Sequence, residues 1–207
     1  MHLVFCDFYF KYKGDKVERY NAVSLSNKEN LLKAYIGSGW TVVWNMIAKR
    51  ELYEKYSLLS PNNITYCEDF HLSVRLMHFS NIISKVEVPL YYYNQENNTS
   101  IMHKLSQKHA LDERMAYSEI IDFFKDEGSF EEYQRELAWR VLKNKQDLVL
   151  AVENHEEFMT IHPWSHKYIF DIRQSLLKKR AHASFDEVAD LEDWDYDGNF
   201  THNLPPY

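Results

Sequence analysis

Glycine and proline are scarce in this chain of 207 residues, with five of each, where average usage gives about fourteen and about ten. So few turn-formers exclude collagen-like and loop-dominated architectures. With 45% apolar and 27% charged residues, intrinsic disorder is excluded as well. A chain of this length buries roughly 70% of its unfolded surface and forms its own core. The two cysteines, Cys6 and Cys67, are too few for a disulfide framework. No apolar run approaches the roughly 18 residues of a spanning helix. The start, Met1-His2-Leu3-Val4-Phe5, has no basic leader or small-residue cleavage site. A reducing cytoplasmic location is therefore expected, with Asn63-Ile64-Thr65 and Asn97-Asn98-Thr99 read as turns rather than glycosylation sites. Clustered basic residues are also missing: 24 Lys and Arg face 31 Asp and Glu, for a net charge of −7. No nucleic-acid partner is expected, because a phosphate backbone requires a basic footprint.

What is present reads as a helix-rich α/β chain. Leu3-Val4-Phe5-Cys6-Asp7-Phe8-Tyr9-Phe10 is β-branched, aromatic and nearly continuous in apolar character, the pattern of a strand interior to a sheet with neighbours on both sides. Lys11 to Lys16 then predicts a hairpin with Val17 to Val23 returning, and Ser26-Asn27-Lys28-Glu29 reads as a capping box opening a helix through Tyr35. Gly37-Ser38-Gly39 breaks that helix, and Trp40 to Tyr56 reads as a second one. After the Ser60-Pro61-Asn62-Asn63 turn, Glu68 and Asp69 open a helix carrying Phe70, Leu72, Val74, Leu76, Met77 and Phe79. Ile82 to Val88 and Leu90 to Tyr93 predict short strands before a polar loop. From Lys104 the pattern turns helical throughout. One stripe holds Leu111, Met115, Ile120, Ile121 and Phe124, and a second, opened by a Ser129 capping box, holds Phe130, Tyr133, Leu137, Val141 and Leu148. A third helix is expected over about 165–180. The organisation expected is thus residues 1–103, a helical appendage over 104–180, and an acidic arm or tail over 181–207.

Three segments carry a resemblance: Trp44-Asn45-Met46-Ile47-Ala48-Lys49-Arg50-Glu51-Leu52-Tyr53, then Cys67-Glu68-Asp69-Phe70, then Pro89-Leu90-Tyr91-Tyr92-Tyr93 with Ser100-Ile101. In order and spacing across residues 1–103, about half the chain, they resemble the second half of family-2 glycosyltransferases. The resemblance implies part of a GT-A fold, a mixed sheet, and inverting transfer of a hexose from a nucleotide-sugar donor to a glycan or lipid-linked acceptor in surface polysaccharide synthesis. It also implies a divalent metal, manganese or magnesium, in the complete enzyme. Carried over, Asp69 is the general base, since an inverting displacement needs a carboxylate beside the acceptor hydroxyl. Glu68 orients the acceptor or tunes Asp69, and a helix N-terminus is expected to favour the Asp69 anion. Trp44, Asn45 and Tyr93 stand on the acceptor side, and His103, after the Ser100-Ile101 loop, is a candidate metal ligand. The residues alone also permit a plainer account: Glu68 and Asp69 as ordinary first-turn carboxylates, Trp44 and Tyr91 to Tyr93 as core, and Gly37 and Gly39 as a turn.

The family's nucleotide-binding half and its Asp-x-Asp metal motif would precede residue 1, and the only Asp-x-Asp strings here are Asp193-Trp194-Asp195 and Asp195-Tyr196-Asp197. The chain alone is therefore expected to lack leaving-group stabilisation. It is then an incomplete portion, with the missing half supplied elsewhere, or a non-catalytic remnant that binds glycan or a partner protein. Open sheet edges would favour pairing between copies. Asp193, Asp195, Asp197 and Gly198 match the opening of a calcium loop, but its twelfth position is Leu204 rather than Glu. His162 and His166, separated by Pro163, read as a helix-entry turn rather than a zinc site. Arg173, Lys178, Lys179 and Arg180, opposite Ile169, Ile172, Leu176 and Leu177, read as a docking helix or as a peripheral contact with an anionic inner membrane face.

Overall fold

The computed structural model describes residues 2–22, 27–96 and 106–160, together with Lys167, Phe170, Asp171 and Gln174. The chain is mixed α/β. It runs β1 (His2–Lys11), β2 (Val17–Tyr20), α1 (Lys28–Ser38), β3 (Met46–Ala48), α2 (Arg50–Tyr56), α3 (Glu68–Phe79), β4 (Ile82–Asn94), α4 (Gln107–Asp126), α5 (Phe130–Ala151) and α6 (His155–Met159). No helix among the described residues is long and apolar enough to cross a membrane. The third helix expected over 165–180, the loop with Ser100, Ile101 and His103, the His162/His166 pair and the acidic arm lie wholly or largely outside the described residues.

β1 is interior to the sheet, as its apolar run requires. It pairs in parallel with β4 along its whole length. On its other side it pairs antiparallel with β3 through Leu3–Phe5 and with β2 through Phe8–Lys11. The sheet is therefore mixed. The expected pair of short strands over 82–93 is one strand with a break in register: Cys6 faces Val86, Asp7 faces Pro89 and Phe8 faces Tyr91. The extra β4 residues form a bulge, a position where proline's missing N–H costs no ladder bond. Burial on β1 changes parity at the same point. Leu3 and Phe5 are buried before it, Asp7 and Phe8 together at it.

One face of the sheet carries the core. Leu3 and Phe5 pack with Leu32 and Ile36 of α1, Phe70 and Val74 of α3, Ile120 and Phe124 of α4, and Tyr133 and Leu137 of α5. The α4–α5 pair thus shares one hydrophobic core with the sheet. The opposite face and the β4 margin leave Ile47, Ile82, Val88 and Leu90 more than half exposed.

Several local expectations need correction. Residues 40–56 are not one helix: a turn over 40–45 leads into β3 and then α2. Thr41-Val42-Val43 is a β-branched run with low helix propensity, and pairing of Met46, Ile47 and Ala48 with β1 outweighs the helical spacing. α1 runs on through Gly37 to Ser38 and stops at Gly39, where a Cβ would lie 2.7 Å from the Tyr35 carbonyl oxygen. Asn27 caps α1, its side chain accepting from the Asn30 N–H. The Ser129 hydroxyl is buried without a partner, so no capping box opens α5. Tyr91 and Tyr92, expected in the core, are 39% and 58% exposed.

Candidate functional site

Asp7 is the deepest carboxylate of the sheet, and its surroundings explain it fully. The β4 bulge opens the ladder beside it. Into that space come Arg19 at 2.6 Å and Lys85 at 2.9 Å, and the Ala22 amide donates to Oδ1 at 3.0 Å. Arg19 also donates to the Glu87 carbonyl at 3.0 Å. Burial pushes the Asp7 carboxyl up, but the hydrogen bonds from Arg19, Lys85 and Ala22 outweigh it and hold the pKa below the usual value.

A second carboxylate is placed differently. A cleft of about 360 Å3 opens where the 39–44 turn, the start of α3, Tyr93 of β4 and the helices α4 and α5 meet. Glu68 and Asp69 line it from the first turn of α3. They are set there by Cys67, which precedes the helix with φ 70° and ψ 12°, a left-handed conformation that costs a non-glycine residue roughly 1–2 kcal/mol. The segment before it is tied to α4: the Thr65 N–H and Oγ1 donate to Asp112 at 2.9 and 2.8 Å. Burial raises the Asp69 pKa, Glu68 raises it further, and a hydrogen bond from the Val43 backbone lowers it; the result is about 6. The helix N-terminus does not win here, contrary to expectation, because desolvation and a like-charged neighbour outweigh it. A carboxyl of this kind is mostly ionised at neutral pH and is a stronger base than an ordinary aspartate.

Trp44 and Tyr93 also line the cleft. Trp44 lies in the turn, stacked on Tyr91 at 4.3 Å and on Tyr93 at 5.4 Å, with Phe8 edge-on at 4.7 Å. Its ring is therefore both packing and cleft wall. Asn45 is not among the lining residues. It is 2% exposed, and its backbone carbonyl accepts from the Cys6 N–H at 2.9 Å. Of the residues singled out from sequence, the structure brings Asp69, Glu68, Trp44 and Tyr93 to one cleft, buries Asn45 outside its lining, and leaves His103 outside the described residues.

Residues more than forty positions downstream of Asp69 complete the wall. From α4 come Glu113 and Tyr117, and from α5 come Arg140 and Lys143. Glu113 is buried and accepts from the Tyr117 hydroxyl and, at 3.1 Å, from Asn144 Nδ2. Lys143 pairs with Asp147 and stands 3.8 Å from Glu113. Burial pushes the Cys67 thiol well up, which leaves it protonated and unsuited to nucleophilic work. Nothing local in the sequence marked these residues; only the apolar stripe placing α5 against α1 could have brought Arg140 into view. Among the described residues no three His, Cys, Asp or Glu side chains converge as metal ligands. The implied divalent ion is not fitted by this cleft, and no step is derived through it.

No protein-family model, curated protein or solved structure matches the chain significantly.

Proposed function

We propose that this chain is the acceptor-side portion of an inverting, family-2-like glycosyltransferase, with Asp69 as its general base. One observation carries the reading: a carboxylate at the start of α3, raised to about 6 by burial and Glu68, faces a small cleft walled by Trp44 and Tyr93. In the reaction the acceptor hydroxyl oxygen attacks the anomeric carbon as Asp69 takes its proton. The new C–O bond forms opposite the breaking bond to the nucleoside diphosphate, which leaves with that electron pair. Glu68 keeps the Asp69 pKa high, and Tyr93 with Trp44 presents aromatic surface to the acceptor ring.

The test is transfer from a panel of labelled nucleotide-sugars, with manganese, to glycan and lipid-linked acceptors by the full chain and by Asp69→Asn. Transfer that falls about 10²–10⁴-fold in the folded variant is the expected result. Equal transfer by both proteins contradicts it. Saturable acceptor binding with no transfer by either leaves a non-catalytic glycan-binding role in its place.

A further inference from the structure

The cleft wall carries two chemically distinct kinds of group. Glu68 and Asp69 are its carboxylates at the start of α3, and the charged group acting on the Asp69 carboxyl is Glu68. Arg140 is a cation of the same wall, fixed in place by the last turn of α1. Its Nε donates to the Ile36 carbonyl, and Nη2 donates to Tyr35 at 3.2 Å and Gly39 at 2.9 Å. Its guanidinium carbon lies 5.2 Å from the Phe70 ring centre. Helix C-terminal carbonyls balance roughly half an elementary charge. No carboxylate among the described residues lies within ion-pair distance of Arg140, whereas Lys143 is already committed to Asp147 and Glu113. Nη1 takes no part in the three carbonyl bonds. Trp40, which directly follows the Gly39 held by Arg140, lines the same cleft, and its Nε1 is buried with no hydrogen-bond partner. A buried donor without an acceptor is costly and asks for one. That donor, on the wall it shares with a guanidinium that has no carboxylate within ion-pair distance, asks for an oxyanion.

We infer that the acceptor bound in this cleft bears a phosphate ester, its oxygens received by Arg140 and the Trp40 indole N–H while its reacting hydroxyl faces Asp69. The inference rests on the transferase reading above and names its substrate class. At about 360 Å3 the cleft is at the small end of ligand pockets, roughly 300–1,000 Å3, which suits a phosphorylated monosaccharide unit better than a nucleotide-sugar.

The experiment is calorimetric titration of the full chain with glucose, galactose and mannose 1-phosphates, the matching methyl glycosides, inorganic phosphate and UDP. At least one hexose phosphate is expected to bind about tenfold or more tightly than its glycoside. Trp40→Phe keeps the ring, removes the donor, and is expected to weaken that ligand about threefold to tenfold while leaving the glycoside unchanged. Arg140→Gln is expected to erase the preference, and if it unfolds because α1 loses its tether, Trp40→Phe still decides. Equal affinity for phosphate and glycoside, or no saturable phosphate binding by the folded chain, overturns the inference. UDP binding more tightly than every hexose phosphate assigns the oxyanion to the donor and overturns it too. Asp69→Asn is expected to retain the phosphate preference. That preference surviving while Asp69→Asn transfers normally would sink the base assignment alone; lost transfer without a phosphate preference would sink the phosphate wall alone.

Discussion

Asp7, midway along β1, and Asp69, in the first turn of α3, are both aspartates withdrawn from water, yet their neighbourhoods push them in opposite directions. Asp7 has two cations and a backbone amide within 3.0 Å, and its pKa is lowered. The Asp69 pKa is raised to about 6 by burial and then by its like-charged neighbour Glu68, with only a backbone hydrogen bond from Val43 acting the other way. The first arrangement satisfies a buried charge and ties three strands together. The second leaves a charge unsatisfied at the wall of a cleft, where a proton or a ligand can complete it. Glu113 is buried as well, hydrogen-bonded by Tyr117 and Asn144, with Lys143 at 3.8 Å.

The contrast can be broken by removing partners. Lys85→Met leaves Asp7, which is 0% exposed, with Arg19 as its remaining cation, and loss of one member of a buried pair is expected to cost about 3 kcal/mol, read by denaturant unfolding. A cost under about 1 kcal/mol would rank this pair with surface ion pairs. Asn144→Leu strips Glu113 and the Ala110 carbonyl of a buried donor, with an expected loss of about 1–3 kcal/mol. Asp69→Asn, by contrast, is expected to change stability at pH 7 by less than about 1 kcal/mol, or to raise it, since no buried ion pair is lost.

The pH dependence sharpens the same point. Asp69 has a folded pKa of about 6 against an ordinary 3.8. As pH rises between those values, the unfolded chain releases the proton while the folded chain keeps it, so stability falls across that window and levels off above it. Asp7 has the opposite sign: its stabilisation is present above the ordinary aspartate value and is lost as pH falls through its lowered folded pKa. The stability of Asp69→Asn relative to the natural chain is therefore expected to increase from about pH 4 to about pH 6. Parallel unfolding curves across that range would show that Asp69 is not destabilised by ionisation.

Much of the site's sheet side was legible because its residues stand in short contiguous segments. The interior strand beginning at Leu3, the α3 start at Glu68 and Asp69, and the aromatic Tyr93 strand all follow from local pattern. The pattern around Trp44 reads as helical, because its spacing to Met46, Ile47 and Leu52 mimics helical periodicity while the decisive force is pairing of β3 with β1. The β4 bulge was not legible, since it answers to Asp7 and Arg19 far away in sequence. The helix side was hidden for a similar reason. Arg140 is one charged residue among many on α5, and its role comes from the α1 carbonyls more than a hundred residues earlier.

The most direct test of the central claim is a carboxyl titration of Asp69 by carbon-detected nuclear magnetic resonance, in the natural chain and in Glu68→Gln. A midpoint near 6 that moves down when the Glu68 charge is removed is the expected result. A midpoint below 4 in both proteins would make Asp69 an ordinary first-turn carboxylate and leave the cleft without its base.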